Sequence, residues 1–425
     1  MIAAAKKVLR ENDVGVFTRP GPKQYPHQWN WDSALIALGL SHFDLERALL
    51  EVRSLLAGQW RDGMLPHVVY HGVKSDYFPD PGYWRITGSP HTPKTPTSGI
   101  TQPPLLASII YRIHQRQPIL EFIREVYPAL LHWHRWLHEK RDADGTGLVC
   151  IIHPWESGTD DSPRWLELLK SVEAVGTVDF NRGDTRYVDA TERPFQHDYQ
   201  HFIYLIDLFR KHNYDQKALI ENSPFLVQDV LFNSILYRAN LDLKSLGVEL
   251  GEDTSEINGW LACIQDGFIK RFWDEEQGLF YDYDLRHQRP IRVSTGVIFL
   301  PLYASLATRQ QAERLVQDHF HDPVHYGVDK VVRYRLTSAS KSLPGWDARR
   351  YWRGPVWILL NWLVSEGMRD YGFEREAELL RGDALQLMDT SGFREYYDAR
   401  DGSGCGSEGF SWSAALAIEW LQTRN

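Results

Sequence analysis

Apolar side chains recur at spacings of three and four along nearly the whole 425-residue chain. That period restricts it to a mostly helical architecture. Over 44–60, Leu45, Leu49, Val52 and Leu56 form one apolar stripe, and Asp44 stands where a cap is needed. The same period predicts helices over 31–40, 105–114, 119–138, 195–212, 223–246, 255–273, 297–307, 309–320, 356–371, 374–388 and 411–422. Strand-like runs are few, at 68–71, 147–152 and 329–334.

The connections are of two kinds. Some are short turns, such as 141–147 and 274–278. Others are long and rich in Pro, Gly, Tyr and Trp: 13–28, 72–102, 153–164, 175–193, 337–355 and 391–411. Long irregular loops in a compact domain tend to carry function. Helix pairs joined in this way predict an α/α toroid whose long loops build a pocket at one end. With no low-complexity linker, 1–425 reads as a single domain, and 72–102 and 175–193 read as pocket-covering insertions.

Composition narrows the chemistry. The net charge is −9 with Lys and Arg interspersed among Asp and Glu, so no basic stripe offers a nucleic-acid surface. No apolar run reaches the length of a membrane span, roughly 20 residues, and the N-terminal MIAAAKKVLRENDVG lacks the features of a signal peptide. Three scattered cysteines without a CxxC pair suit a reducing compartment, so a cytoplasmic protein is expected. The 17 His show no HExxH spacing, and Asp142-x-Asp144-Gly145 lacks the closing Glu of a calcium loop, so neither metal nor cofactor is expected. The sequence leaves oligomeric state open. Sixteen Trp, 20 Tyr and 18 Phe are the informative excess. Most should fill a helical core, but a Trp face with its single N–H donor also suits a sugar ring.

Five segments concentrate polar and aromatic residues. In 153–165, HPWESGTDDSPRW, Glu156 and Asp160 are framed by Trp155 and Trp165, and Ser162-Pro163 reads as a helix start. In 393–413, FREYYDARDGSGCGSEGFSWS, Glu395 and Glu408 flank a Gly-rich stretch. The others are HQWNWD at 27–32, GITQPP at 99–104 and YWRGPVW at 351–357. Paired carboxyl groups among tryptophans are what glycosidic cleavage requires: a protonated acid for the leaving oxygen and an ionised partner on the other face of the sugar. Burial would keep the acid protonated.

Together these motifs, with FTRPGPKQYPHQWNWD and GQWRDGMLPH, resemble glycoside hydrolase family 63 and, more distantly, the trehalases of family 37. The likeness spans nearly the whole chain. It is strongest to the short members that hydrolyse mannosylglycerate or glucosylglycerate. The resemblance implies an (α/α)6 barrel, inversion at the anomeric carbon, Asp160 as general acid and Glu395 as general base. It implies a sugar site drawn from Tyr25, Trp29, Trp31, Asp32, Gln102, Trp155, Glu156, Tyr351, Trp352 and Arg353, with Glu408 near the aglycone. Two departures are notable: Asp161 replaces an expected Asn, and Glu408 an expected neutral amide. Glu408 would repel an anionic aglycone by about 1–4 kcal/mol unless Lys74, Arg85, Arg182 or Arg186 offset it, so a neutral glycoside or disaccharide is the alternative substrate. Glu408 also competes for the role of base. A sugar epimerase using His153, His197 or His201, and a binding protein without catalysis, are the remaining alternatives.

Overall fold

A computed structural model describes residues 1–172 and 182–423. Outer and inner helices alternate along it: α1 (Ile2–Asn12), α2 (Asn30–Leu40), α3 (Leu45–Leu56), α4 (Leu106–Arg116), α5 (Leu120–Arg141), α6 (Gln196–Lys211), α7 (Val230–Leu250), α8 (Ser255–Phe272), α9 (Leu300–Tyr303), α10 (Arg309–Arg314, continued by a π turn to Phe320), α11 (Ile358–Asp370), α12 (Glu374–Ser391) and α13 (Ser411–Gln422). The even-numbered α2 and α4 and the odd-numbered α7, α9, α11 and α13 pack in sequence, and α13 returns onto α2 to close a ring. The remaining helices lie outside it, α1 against α13 and α12 against α11. This is the (α/α)6 barrel, with α6 as an addition between its third pair.

Burial follows position. Every residue of α2 is buried, as is α13 from Ser411 to Trp420, because a ring helix touches neighbours on all sides and must be apolar all round. The outer α3 buries one face only. Side-chain caps set several helix starts. Asp44 accepts from the Arg47 N–H, Thr308 and Gln311 form a capping box, and Asp229 accepts from the Phe232 N–H. Asp229 also explains why α7 begins later than the periodicity predicts: Val227–Gln228 just before it is strand.

The two ends of the barrel differ. Inner-to-outer connections are short, at 41–44, 117–119, 251–254, 304–308 and 371–373, whereas outer-to-inner ones run over 13–29, 57–105, 142–229, 273–299, 321–357 and 392–410. All the long loops therefore meet at the N-terminal ends of the inner helices. Short antiparallel pairs brace them: β1 (Gln28–Trp29) on β2 (Val68–Val69), the four-stranded order β3 (Cys150–Ile151), β4 (Val227–Gln228), β5 (Asp282–Asp284), β6 (Arg289–Ile291), and β7 (Arg394–Tyr397) on β8 (Gly404–Glu408).

Some expectations fail locally. The helix expected over 297–307 is a 3-10 turn, Gly296–Phe299, running into the four residues of α9, with Pro301 near the start of that helix. The strand expected over 329–334 is a turn, in which the Asp329 carboxylate accepts the Val331 and Val332 N–H groups. Of the insertion expected at 175–193, 175–181 lie outside the described residues. No helix among the described residues is long and apolar enough to cross a membrane.

Candidate active site

The long loops enclose a cavity onto which Asp160 and Glu395 both open. Glu395 stands on β7 and is 1% exposed. The Tyr25 hydroxyl donates to its Oε1 at 2.6 Å and Arg193 Nη1 donates to the same oxygen at 3.1 Å. The Ser407 N–H donates to Oε2 at 2.9 Å. Three donors thus fix both oxygens, a set suited to a carboxylate. Gly406 makes this possible: its φ is +65°, and a Cβ there would sit 2.5 Å from Glu395 Oε2.

Asp160 follows the 3-10 turn Pro154–Ser157, on the loop stretch that leads to Ser162, whose hydroxyl accepts the Arg164 N–H. The turn is pinned by Gly158, φ +70°, where a Cβ would lie 2.4 Å from the Trp31 ring. Asp160 keeps part of its surface open to the cavity, while its surroundings exclude bulk water. Burial raises its carboxyl to about 7, against the pull of Arg193 and of the hydrogen bond with Tyr351. The Tyr351 hydroxyl donates to Asp160 Oδ2 at 3.3 Å. Tyr351 thus contacts Asp160 and Tyr25 contacts Glu395, and all four residues line the one cavity. Asp32, in the first turn of α2, feels both: burial drives its carboxyl well up, and the charges of Glu395 and Asp160 add to the rise.

The walls are aromatic. Trp29, Trp31, Trp155, Trp352 and Trp412 line the cavity with Tyr25 and Tyr351. Trp352 stacks on Trp357 at 3.8 Å between centroids, and Trp31 meets Trp412 edge-on at 5.8 Å. Gln102 lines it too, its Oε1 accepting the Trp31 N–H at 3.2 Å.

Three expected contacts point elsewhere. Glu156 is wholly buried behind the cavity, where it takes two hydrogen bonds from Arg141, at 2.7 and 2.8 Å, and one from the Ile152 N–H. Arg353 is held by Asp161, at 2.6 and 2.9 Å, and by Asp198 at 2.7 Å, so it buttresses the Asp160 loop from outside. Glu408 leaves the cavity altogether: its side chain is 76% exposed and pairs with Arg394 at 2.8 Å. Asp161, bound to Arg353, does not enter the cavity either.

Sequence reasoning missed other wall residues. Tyr77 and Phe78 come from the 72–102 insertion, Asp184 and Arg193 from the 175–193 insertion and Tyr199 from α6; the loop pattern pointed to the two insertions but not to their side chains. His67 lies in the quoted MLPH, and burial lowers its ring to about 3, leaving it neutral. Among the described residues Arg193 is the cation on the wall, where Lys74, Arg85, Arg182 and Arg186 had been candidates. Lys74 and Arg85 are exposed, Arg186 pairs with Asp76 at the surface, and Arg182 is tied to Asp184 and the Pro194 carbonyl.

A carboxyl pair walled by tryptophan at one end of a helical barrel is an arrangement that cleaves glycosides, and comparison with known proteins agrees. The chain is a glycoside hydrolase. It belongs to the mannosylglycerate hydrolase MGH1-like glycoside hydrolase family, whose model matches residues 25–413. It is 45% identical over 423 residues to the mannosylglycerate hydrolase of Thermus thermophilus, covering 98% of this chain and 100% of that one. It is 33% identical over 436 residues to the glucosylglycerate hydrolase of Mycolicibacterium hassiacum, covering 99% and 97%. A crystal structure of the Thermus family 63 enzyme in complex with Tris and D-glycerate superposes with a TM-score of 0.92 at 44% identity, covering 99% of both chains.

Proposed function

We propose that this chain hydrolyses an α-linked mannosyl- or glucosylglycerate with inversion, Asp160 acting as general acid and Glu395 as general base. The observation that carries the reading is the contrast between the two carboxyl groups of one cavity. Asp160 is raised by burial to about 7 and can hold a proton at neutral pH, whereas Glu395 is surrounded by donors. In the reaction, Asp160 gives its proton to the glycosidic oxygen as the anomeric C–O bond breaks. Water adds to the anomeric carbon from the opposite face and passes a proton to Glu395. Inversion calls for roughly 6.5–9.5 Å between the two carboxyl groups, which is room for one water beside the sugar.

Arg193, the cation on the cavity wall among the described residues, is the candidate partner for the aglycone carboxylate: its bonds to Asp184, Glu395 and Tyr25 engage three of its five N–H donors and leave two. With Glu408 outside the cavity, the objection to an anionic aglycone loses its basis. The Thermus relative's name and its D-glycerate complex support the same aglycone class. Closure of α13 onto α2, with α1 against α13, supports reading 1–425 as one catalytic unit. Three free thiols support a cytoplasmic setting.

The test is hydrolysis of mannosylglycerate, glucosylglycerate, glucosylglycerol, trehalose and kojibiose, with proton NMR following the first anomer released. Release of the β-anomer from a glycerate glycoside, abolished in Asp160→Asn and Glu395→Gln, is the expected result. Release of the α-anomer, or preference for a neutral disaccharide, would overturn it.

A further inference from the structure

An inverting hydrolase consumes one water per turnover, and that water must reach the base while substrate fills the cavity. Gln24 stands where this can happen. It sits on the tight turn closed by the Gly21–Tyr25 bridge, one residue before the tyrosine that donates to Glu395. It is 4% exposed, and neither its amide oxygen nor its amide nitrogen has a hydrogen-bond partner among the described residues. A buried amide left unpaired on both atoms costs stability, so such a group calls for an explanation.

The surroundings supply one. Gln24 lines the catalytic cavity and also a second cavity, on the far side of β8, that Gly406, Ser407 and Glu192 help to line. The second cavity opens at the surface beside exposed Lys23, Asp189 and Glu408. The partition between the two is thin at the base. Ser407 N–H binds Glu395 Oε2, and Gly406 has no side chain to stand against that oxygen. A carboxamide offers both a donor and an acceptor, which is what holding one water between a base and a sugar carbon requires.

We propose that Gln24 is a positioning residue for the hydrolytic water, and that the second cavity behind Glu395 is the route by which water reaches it. The proposal rests on Glu395 being the base. Gln24→Leu keeps the volume and removes both polar atoms. The expected result is a kcat lower by about 10–100-fold, the order of loss when a reacting group is misplaced by about an ångström, with KM changed less than about 3-fold and a Tm that is not lowered.

An α-glycosyl fluoride separates this from the acid's role. Fluoride leaves without protonation, so the substrate should restore Asp160→Asn but not Gln24→Leu. Gln24→Glu, which keeps an acceptor, should recover part of kcat. Unchanged kinetics in Gln24→Leu, a raised KM at full kcat, or a fallen Tm with both constants altered would each overturn the proposal; the last two would make Gln24 a substrate ligand or a structural prop. Glu395→Gln is run beside it. Full activity there would sink the base assignment itself, whereas a dead Glu395→Gln with a normal Gln24→Leu would sink only the role of Gln24.

Discussion

Replacing Asp160 by Asn should make the enzyme more stable at pH 8 while abolishing turnover. Burial lifts the Asp160 carboxyl from the usual 3.8 to about 7. A pKa higher in the folded than in the unfolded chain contributes stability that is complete below the unfolded value. That contribution is lost as pH rises through the folded value. The window is therefore about pH 4 to 7, and the whole loss is about 4 kcal/mol, of which roughly 2–3 kcal/mol falls between pH 5 and 8. Asparagine imitates the protonated acid and has nothing to lose. Urea unfolding of wild type and Asp160→Asn at pH 5, 6, 7 and 8 should show the gap widening in favour of the variant. The alkaline limb of kcat/KM in the wild type should break near the same pH. A gap that stays constant from pH 5 to 8 would refute the argument, since it would mean that Asp160 is ionised throughout.

Three further outcomes follow from contacts already described. Glu408→Gln should leave kcat and KM on a glycerate glycoside within about 2-fold, because an exposed ion pair is worth little; steady-state kinetics check this, and a tenfold change in KM would return Glu408 to the site. Arg141→Met should cost about 3–5 kcal/mol of unfolding free energy, measured in urea, by leaving Glu156 buried without its partner. Gly158→Ala should lose about 1–3 kcal/mol from the left-handed backbone alone. It should also lower kcat/KM at least tenfold, as the new methyl displaces Trp31.

Much of this architecture is legible in the sequence because its determinants are local. An amphipathic stripe, an Asp44 or Ser162 cap and a Gly-Pro turn are written within a few residues of where they act. The inner α9 defeated the reading because only four residues of it are helical, and packing in the ring, rather than period, holds them there. The motifs fell on the segments that bring Asp160, Glu395 and several tryptophans onto one cavity. They could not reveal partnerships across 192 residues, such as Arg353 with Asp161, or 15 residues apart and buried, such as Arg141 with Glu156. Charge in a loop motif reads as a site feature until the fold supplies its counterion. Glu156 and Arg353 are charged residues of that kind, placed by long-range pairing behind the cavity.

The two glutamates of the C-terminal motif show how little separates a site residue from a surface one. Across β7 and β8, Glu408 is the register partner of Arg394, and cross-strand partners share a face, so the two side chains meet in solvent. Glu395 is the next residue along β7 and must face the other way, because successive side chains on a strand alternate. The inner face is the cavity. A register slip of one residue would set Glu408 opposite Phe393 or Glu395 instead, putting both glutamates on one face. What holds the register is the irregularity between Cys405 and Glu408, together with Gly406 at positive φ, which turns the Ser407 N–H onto Glu395. The Gly-rich stretch that reads in sequence as mere looseness is therefore the element that selects which carboxylate faces the cavity.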